Sequence, residues 1–195
     1  MRARGRMDCA RSTAHAGPDR AHEPLGSRRQ RRGADDADSR SVARRIRPMT
    51  KTSPLESHLR GVRARGRKIL VPYVTGGVEH WQEAVRAAVA HGADAVEIGI
   101  PFSDPVMDGP VIQRASSLAL QHGATLASVV RGISELDVGV PLAVMCYYNT
   151  VFRAGHERFA TQVRDAGVSG VIVPDLPLEE SSDWCKAADD AGLAT

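Results

Sequence analysis

An α/β fold built on a parallel sheet is what this sequence predicts, from three observations. Short apolar runs rich in β-branched residues alternate with stretches of helical period. Such alternation builds βα units, whose successive strands lie parallel. A junction of small residues, glycine and a new apolar run also recurs three times. It appears at His91-Gly92-Ala93-Asp94-Ala95-Val96, at Ala166-Gly167-Val168-Ser169-Gly170-Val171 and at Ala191-Gly192-Leu193-Ala194-Thr195. The third copy stops as its strand begins. The sequence is therefore expected to end inside a repeating βα architecture, with four complete strands, too few to close an eight-stranded barrel.

The elements follow in order. Residues 53–66 read as a short basic helix, with Ser53 as cap, Pro54 in the first turn and Gly66 at the end. ILVPYVT (69–75) is a nearly continuous apolar strand. Residues 79–91 are helical, with Trp81, Val85, Ala88 and Val89 on one face and Gly92 as terminator. AVEIGI (95–100) is the second strand. Helical stretches follow over 110–122 and 125–136, divided by Gly123. PLAVMCY (141–147) is the third strand, 156–166 a helix, GVIVP (170–174) the fourth strand and 179–191 a helix.

Composition narrows the class. The chain has 195 residues, 42% hydrophobic and 25% charged, enough for one domain with a core of its own. No apolar run reaches a bilayer-spanning length, so no membrane association is predicted. Three cysteines, Cys9, Cys146 and Cys185, are odd in number and widely spaced, which argues against a disulfide framework and for a reducing, cytoplasmic setting. Cys146 and Cys185 are expected to be buried small residues. No histidine stands in a catalytic context. The net charge of +3 hides an asymmetry: residues 1–50 carry +7, from 13 arginines against 6 acidic residues, and the remainder carries −4. Residues 1–48 lack hydrophobic period and are expected to form a disordered basic extension, with the globular domain over 49–195 and a natural start at Met49. Nucleic-acid binding would rest on that extension alone, which lacks aromatic interleaving, and is not predicted.

The chemistry concentrates after the second strand. Val96, Ile98 and Ile100 share one face by period two, and Ala95, Glu97 and Gly99 share the other. In a βα barrel the apolar set faces the helices, which puts the Glu97 carboxylate inside, near the C-terminal end of its strand where such folds hold their sites. A buried glutamate with no evident cationic partner points to function. The next segment, Pro101-Phe102-Ser103-Asp104-Pro105-Val106-Met107-Asp108-Gly109-Pro110, is a constrained turn. Its carboxylates serve either of two roles. Asp108 can pair with Glu97, one exchanging protons while the other stays ionised, or both Asp104 and Asp108 can simply shape the turn and cap the next helix.

VEIGIPFSDPVMDGPVIQ (96–113) closely resembles the signature of the tryptophan synthase alpha subunit family. VPYVTGG (71–77), MCYYNTVF (145–152) and VPDLPLEES (173–181) agree with it in the same order. The resemblance covers about residues 53–195, and Val78-Glu79 and Met107 depart from the usual pattern. It implies a TIM (β/α)8 barrel of which this sequence holds about the first four βα units. It implies cleavage of indole-3-glycerol phosphate to indole and glyceraldehyde 3-phosphate, a lyase step of tryptophan biosynthesis with neither metal nor organic cofactor. Residue by residue, Glu97 matches the general acid/base and Asp108 the aspartate that accepts the indole N–H. Tyr73, Thr75 and Tyr147 match positions lining the substrate pocket. Asp175 matches a loop-anchoring aspartate, and Asp104, Pro105 and Asn149 match positions near a beta-subunit contact in an α2β2 assembly. The family's phosphate-binding loops belong to later strands, so these 195 residues alone are expected to be inactive. Two alternatives explain part of the pattern: a non-catalytic half barrel that binds a beta subunit, and another phosphate-handling TIM barrel.

Overall fold

The computed structural model describes residues 52–195. The basic extension expected over 1–48, the start at Met49 and Cys9 lie outside the described residues.

The first element, α1 (Pro54–Ala64), starts as its sequence dictates: the Ser53 hydroxyl accepts the Glu56 N–H at 3.1 Å, and Pro54 occupies the first turn. Then come β1 (Tyr73–Thr75), α2 (Trp81–Ala90), β2 (Val96–Gly99), α3 (Pro110–Gln121) and α4 (Leu126–Ser134). The described chain finishes with β3 (Leu142–Met145), α5 (Tyr148–Ala154), α6 (His156–Asp165), β4 (Val168–Ile172), a 3-10 turn (Leu178–Glu180) and α7 (Ser182–Ala191). The four strands form one parallel sheet in the order β1-β2-β3-β4. Among the described residues, no helix is long and apolar enough to cross a membrane.

The recurring glycine junction has a physical basis. Gly92, Gly167 and Gly192 adopt φ of +98°, +94° and +77°, a left-handed turn that L-residues with side chains resist. At two of them the same pair of bonds closes the helix. Gly92 N–H donates to Val89 and Ala93 N–H to Ala88; Gly192 N–H donates to Asp189 and Leu193 N–H to Ala188. The third junction leads to Ala194, which bridges Gly170 in parallel and extends the sheet past β4.

Several element limits differ from expectation. The strand predicted over 69–75 shortens to Tyr73–Thr75, because Pro72 has no N–H to give the ladder. The extended path still begins earlier: Leu70 O accepts the Asp94 N–H and Pro72 O accepts the Glu97 N–H. The strand predicted over 170–174 starts instead at Val168, whose partner is Leu142, and a register shift at Leu142/Ala143 absorbs the extra residue. Helix α2 begins at Trp81 rather than 79, since His80 takes a left-handed φ of 57°. The helix predicted over 179–191 is divided into the 3-10 turn and α7. Helix α5 was not predicted at all.

Core packing follows the alternation. Val74, Ile98, Val144 and Val171 lie in register across the four strands and pack with Val85, Val129, Ile133, Phe159 and Trp184 from the helices. Cys146 is buried as expected, whereas Cys185 is only half-buried, at the rim of α7. Burial pushes the Cys146 thiol up to about 12, helped by the nearby Asp175 charge, which leaves it inert at neutral pH.

Candidate functional site

The face opposite the core carries the polar residues. Tyr73, Glu97, Ala143 and Gly170 are in register, as are Thr75, Gly99, Met145 and Ile172. Leu55 of α1 covers this face at β4, where Gly170 leaves no room for a side chain: a Cβ there would lie 2.7 Å from Leu55. At β2, Gly99 has the same role toward Tyr73. A Cβ at Gly99 would overlap the Tyr73 hydroxyl, so the missing side chain is what lets the phenol lean along the strand beside Glu97. Thr75, at the end of β1, is buried beside Tyr73.

Glu97 is half-buried on this face, and no salt bridge or side-chain hydrogen bond to it is found among the described residues. Loss of hydration raises its pKa above the ordinary glutamate value, and the Asp108 charge raises it further. Tyr73 is raised by burial first and by the Asp108 and Glu97 charges after it, with Thr75 opposing them. Four titratable side chains, Tyr73, Glu97, Asp108 and Tyr147, thus share one electrostatic neighbourhood at the C-terminal end of β1–β3. A carboxyl whose protonated form is favoured there can give its proton to a weakly basic atom, and a second carboxylate can balance the positive charge that results.

Asp108 arrives on the constrained turn between β2 and α3. Its N–H donates to Pro105 O at 3.1 Å, and its carbonyl accepts the Gln113 side chain at 2.8 Å. The turn is anchored to β3 through Tyr147, which is 2% exposed. Phe102 stacks on the Tyr147 ring at 4.9 Å between centroids and 18° between planes, and Met107 N–H donates to the Tyr147 hydroxyl at 2.9 Å. Burial and the neighbouring Asp108 charge raise the pKa of the same hydroxyl, and the Met107 bond opposes them.

The candidate site residues lie on the strands and on the loops that follow them. Glu97, Tyr73, Thr75, Asp108 and Tyr147 come together. Asp104 and Asn149 are exposed and Pro105 is half-buried. The Asp104 carboxylate accepts the Ser103 hydroxyl at 2.6 Å, and its carbonyl accepts the Val106 N–H at 2.9 Å within the turn. Asn149 belongs to the first turn of α5. Sequence reasoning gave no part to Phe102, whose stacking partner is 45 residues away, and no local signal marks it. It also missed how Asp175 anchors: its carboxylate accepts the Tyr148 N–H at 2.8 Å and thereby caps α5 from the end of β4.

Among the described residues no group of three or more His, Cys, Asp and Glu side chains is placed to hold a metal ion. A concavity of about 730 Å³ lies elsewhere, bordered by Phe152, Arg153, His156 and Arg158 with Asp183 and Lys186 of α7. It contains none of the residues around Glu97.

Comparison with known proteins points one way. The sequence profile of the tryptophan synthase alpha chain matches residues 59–195. The tryptophan synthase alpha chain of Streptomyces coelicolor is 45% identical over 150 residues, which span 72% of this chain and 54% of that one. That of Laribacter hongkongensis is 44% identical over 147 residues, 72% and 56% of the two chains. Among solved structures, tryptophan synthase subunit alpha of Legionella pneumophila superposes with a TM-score of 0.70 at 35% identity, covering 73% of this chain and 57% of that one. Tryptophan synthase of M. tuberculosis in its aminoacrylate- and BRD0059-bound form gives 0.69 at 35% identity, covering 73% and 59%. The chain spans about half the length of the curated relatives it matches.

Proposed function

The chain belongs to the tryptophan synthase alpha chain family, and on that premise we propose that it supplies the acid/base half of a site that cleaves indole-3-glycerol phosphate to indole and glyceraldehyde 3-phosphate. The observation that carries this reading is Glu97: a half-buried carboxyl with a raised pKa on the polar face of a parallel sheet, next to Asp108. In this scheme protonated Glu97 gives its proton to the indole ring carbon that bears the glycerol chain. Asp108 accepts the indole N–H and stabilises the cationic ring. The bond from that ring carbon to the hydroxyl-bearing carbon then breaks. Its electron pair returns to the ring, and the hydroxyl loses its proton, to Glu97, as the aldehyde forms. Tyr73, Thr75 and Tyr147 border the ring.

The four parallel βα units support a TIM (β/α)8 barrel as the complete architecture, with later strands contributing the phosphate-binding loops. The exposed Asp104 and Asn149 and the half-buried Pro105 form the edge offered to a beta subunit in a cytoplasmic α2β2 complex. The test is indole release from indole-3-glycerol phosphate by the protein at its natural length. We expect activity in the wild type and its loss in Glu97→Gln, which keeps the size and removes the titratable proton. A Glu97→Gln protein as active as the wild type would refute the assignment. A second reading, a non-catalytic partner of the beta subunit, leaves Glu97 on the polar face without a purpose, and stimulation of a beta subunit by Glu97→Gln separates binding from chemistry.

A further inference from the structure

We propose that Tyr147 is a positioning residue for Asp108, its hydroxyl accepting the Met107 N–H and donating to the Asp108 carboxylate so that the turn between β2 and α3 is fixed to β3. The proposal rests on the catalytic reading of Asp108 given above. Three observations lead to it. The hydroxyl of a tyrosine only 2% exposed accepts the Met107 N–H at 2.9 Å, and the neighbouring Asp108 lies close enough to shift its titration. The ring cannot swing away, because Phe102 from the same turn stacks on it. The turn has little else to hold it: Val106 and Met107 are 79% and 61% exposed, and the turn's other polar bonds are local, within itself or to Gln113 of α3. A carboxylate on such a turn keeps a defined place only through a long-range contact, and Tyr147, 40 residues from Met107, supplies it. Asp108 alone would be free to wander over distances that abolish its interaction with a developing charge.

Tyr147→Phe is the informative variant, since it retains the ring, the stack and the packing and removes only the hydroxyl. Two measurements on the protein at its natural length decide the matter. The first is amide hydrogen exchange at Met107. We expect roughly tenfold faster exchange in Tyr147→Phe, the size of one lost hydrogen bond, and no change in Tyr148→Phe, whose hydroxyl contacts His156 instead. The second is a double-mutant cycle on indole release with Asp108→Asn. Tyr147→Phe alone should lower kcat by about tenfold with KM within about twofold. In the Asp108→Asn background it should cause little further loss, because the group it positions is already gone. Unchanged Met107 exchange in Tyr147→Phe overturns the proposal, as does a full tenfold loss repeated in the Asp108→Asn background. Absence of indole release in the wild type defeats the reaction itself, while Met107 exchange still decides whether Tyr147 holds the turn.

Discussion

The two faces of the sheet are made from the same four strands and obey opposite rules. Toward the helices, Val74, Ile98, Val144 and Val171 form an unbroken β-branched row, with Ile98 and Val144 0% exposed. Toward the other side, one residue before and one after it along each strand, the rows mix a phenol, a carboxyl, a threonine, a methionine, an alanine, an isoleucine and two glycines. The first face is a hydrophobic surface whose value lies in area and fit. The second forgoes that stabilisation. Its glycines make room for the Tyr73 ring and for Leu55, and its carboxyl sits where it is poorly hydrated. A period of two lets one short strand serve both purposes, because a single residue step turns a side chain from the core to the site.

The contrast predicts which kind of damage each substitution does. The largest effect belongs to the polar face and concerns chemistry: Glu97→Gln should reduce indole release by a factor of about 10²–10⁴, the usual contribution of a general acid/base, with the fold retained by circular dichroism. Next comes the opposite face. Ile98→Ala should cost about 2–5 kcal/mol in urea unfolding, from lost burial and an unfilled cavity, and any activity it loses should follow the unfolded fraction. Gly99→Ala tests the boundary between the two. Its methyl must displace the Tyr73 ring, so we expect about 1–3 kcal/mol of destabilisation from overpacking together with a fall in kcat/KM larger than the unfolded fraction explains. If Gly99→Ala is neutral in both measurements, the close approach of Tyr73 has no consequence.

The smallest effect has a characteristic pH dependence. Glu97 has a folded-state pKa above its ordinary value, so the folded state binds its proton more tightly than the unfolded chain does. Its stabilising contribution is complete below the ordinary carboxyl range and is lost as pH rises through the raised value. Glu97→Gln, which cannot ionise, should therefore melt about 1–2 °C higher than the wild type near neutrality, a small gain because the site is half open to water. The gain should vanish under acid conditions. Lower thermal stability of Glu97→Gln at neutral pH would show that the ionised carboxylate is stabilised by the fold, contrary to its desolvation.

Much of this arrangement was legible in the residues because it is local. The Ser53 cap, the Gly92 and Gly192 junctions and the alternation through Val96–Ile100 each depend on neighbours within a few positions, and each appears where its pattern indicates. The early end of β4 and the late start of β1 were not legible, although Pro72 and Pro174 were visible, since pairing partners set where a strand counts as a strand. Helix α5 was invisible for a related reason. Seven residues with no cap of their own give no helix signal, and the group that completes its N-terminus, Asp175, lies 27 residues ahead of Tyr148.

By itself, then, the sequence determined the parallel βα rhythm, the two-faced strands and the placing of Glu97 off the core face, whereas Tyr73 and Tyr147 were singled out only through the family resemblance. Hydrophobic periodicity and backbone stereochemistry act over three to five residues, and a reader of the chain sees them directly. Only the tertiary structure decided that Tyr147 receives Met107, that Phe102 stacks on Tyr147, that Asp175 caps α5 and that Tyr73 leans over Gly99. Each of these depends on how separate strands stand beside one another, and that is settled when the core face packs and brings the far side of the sheet into register.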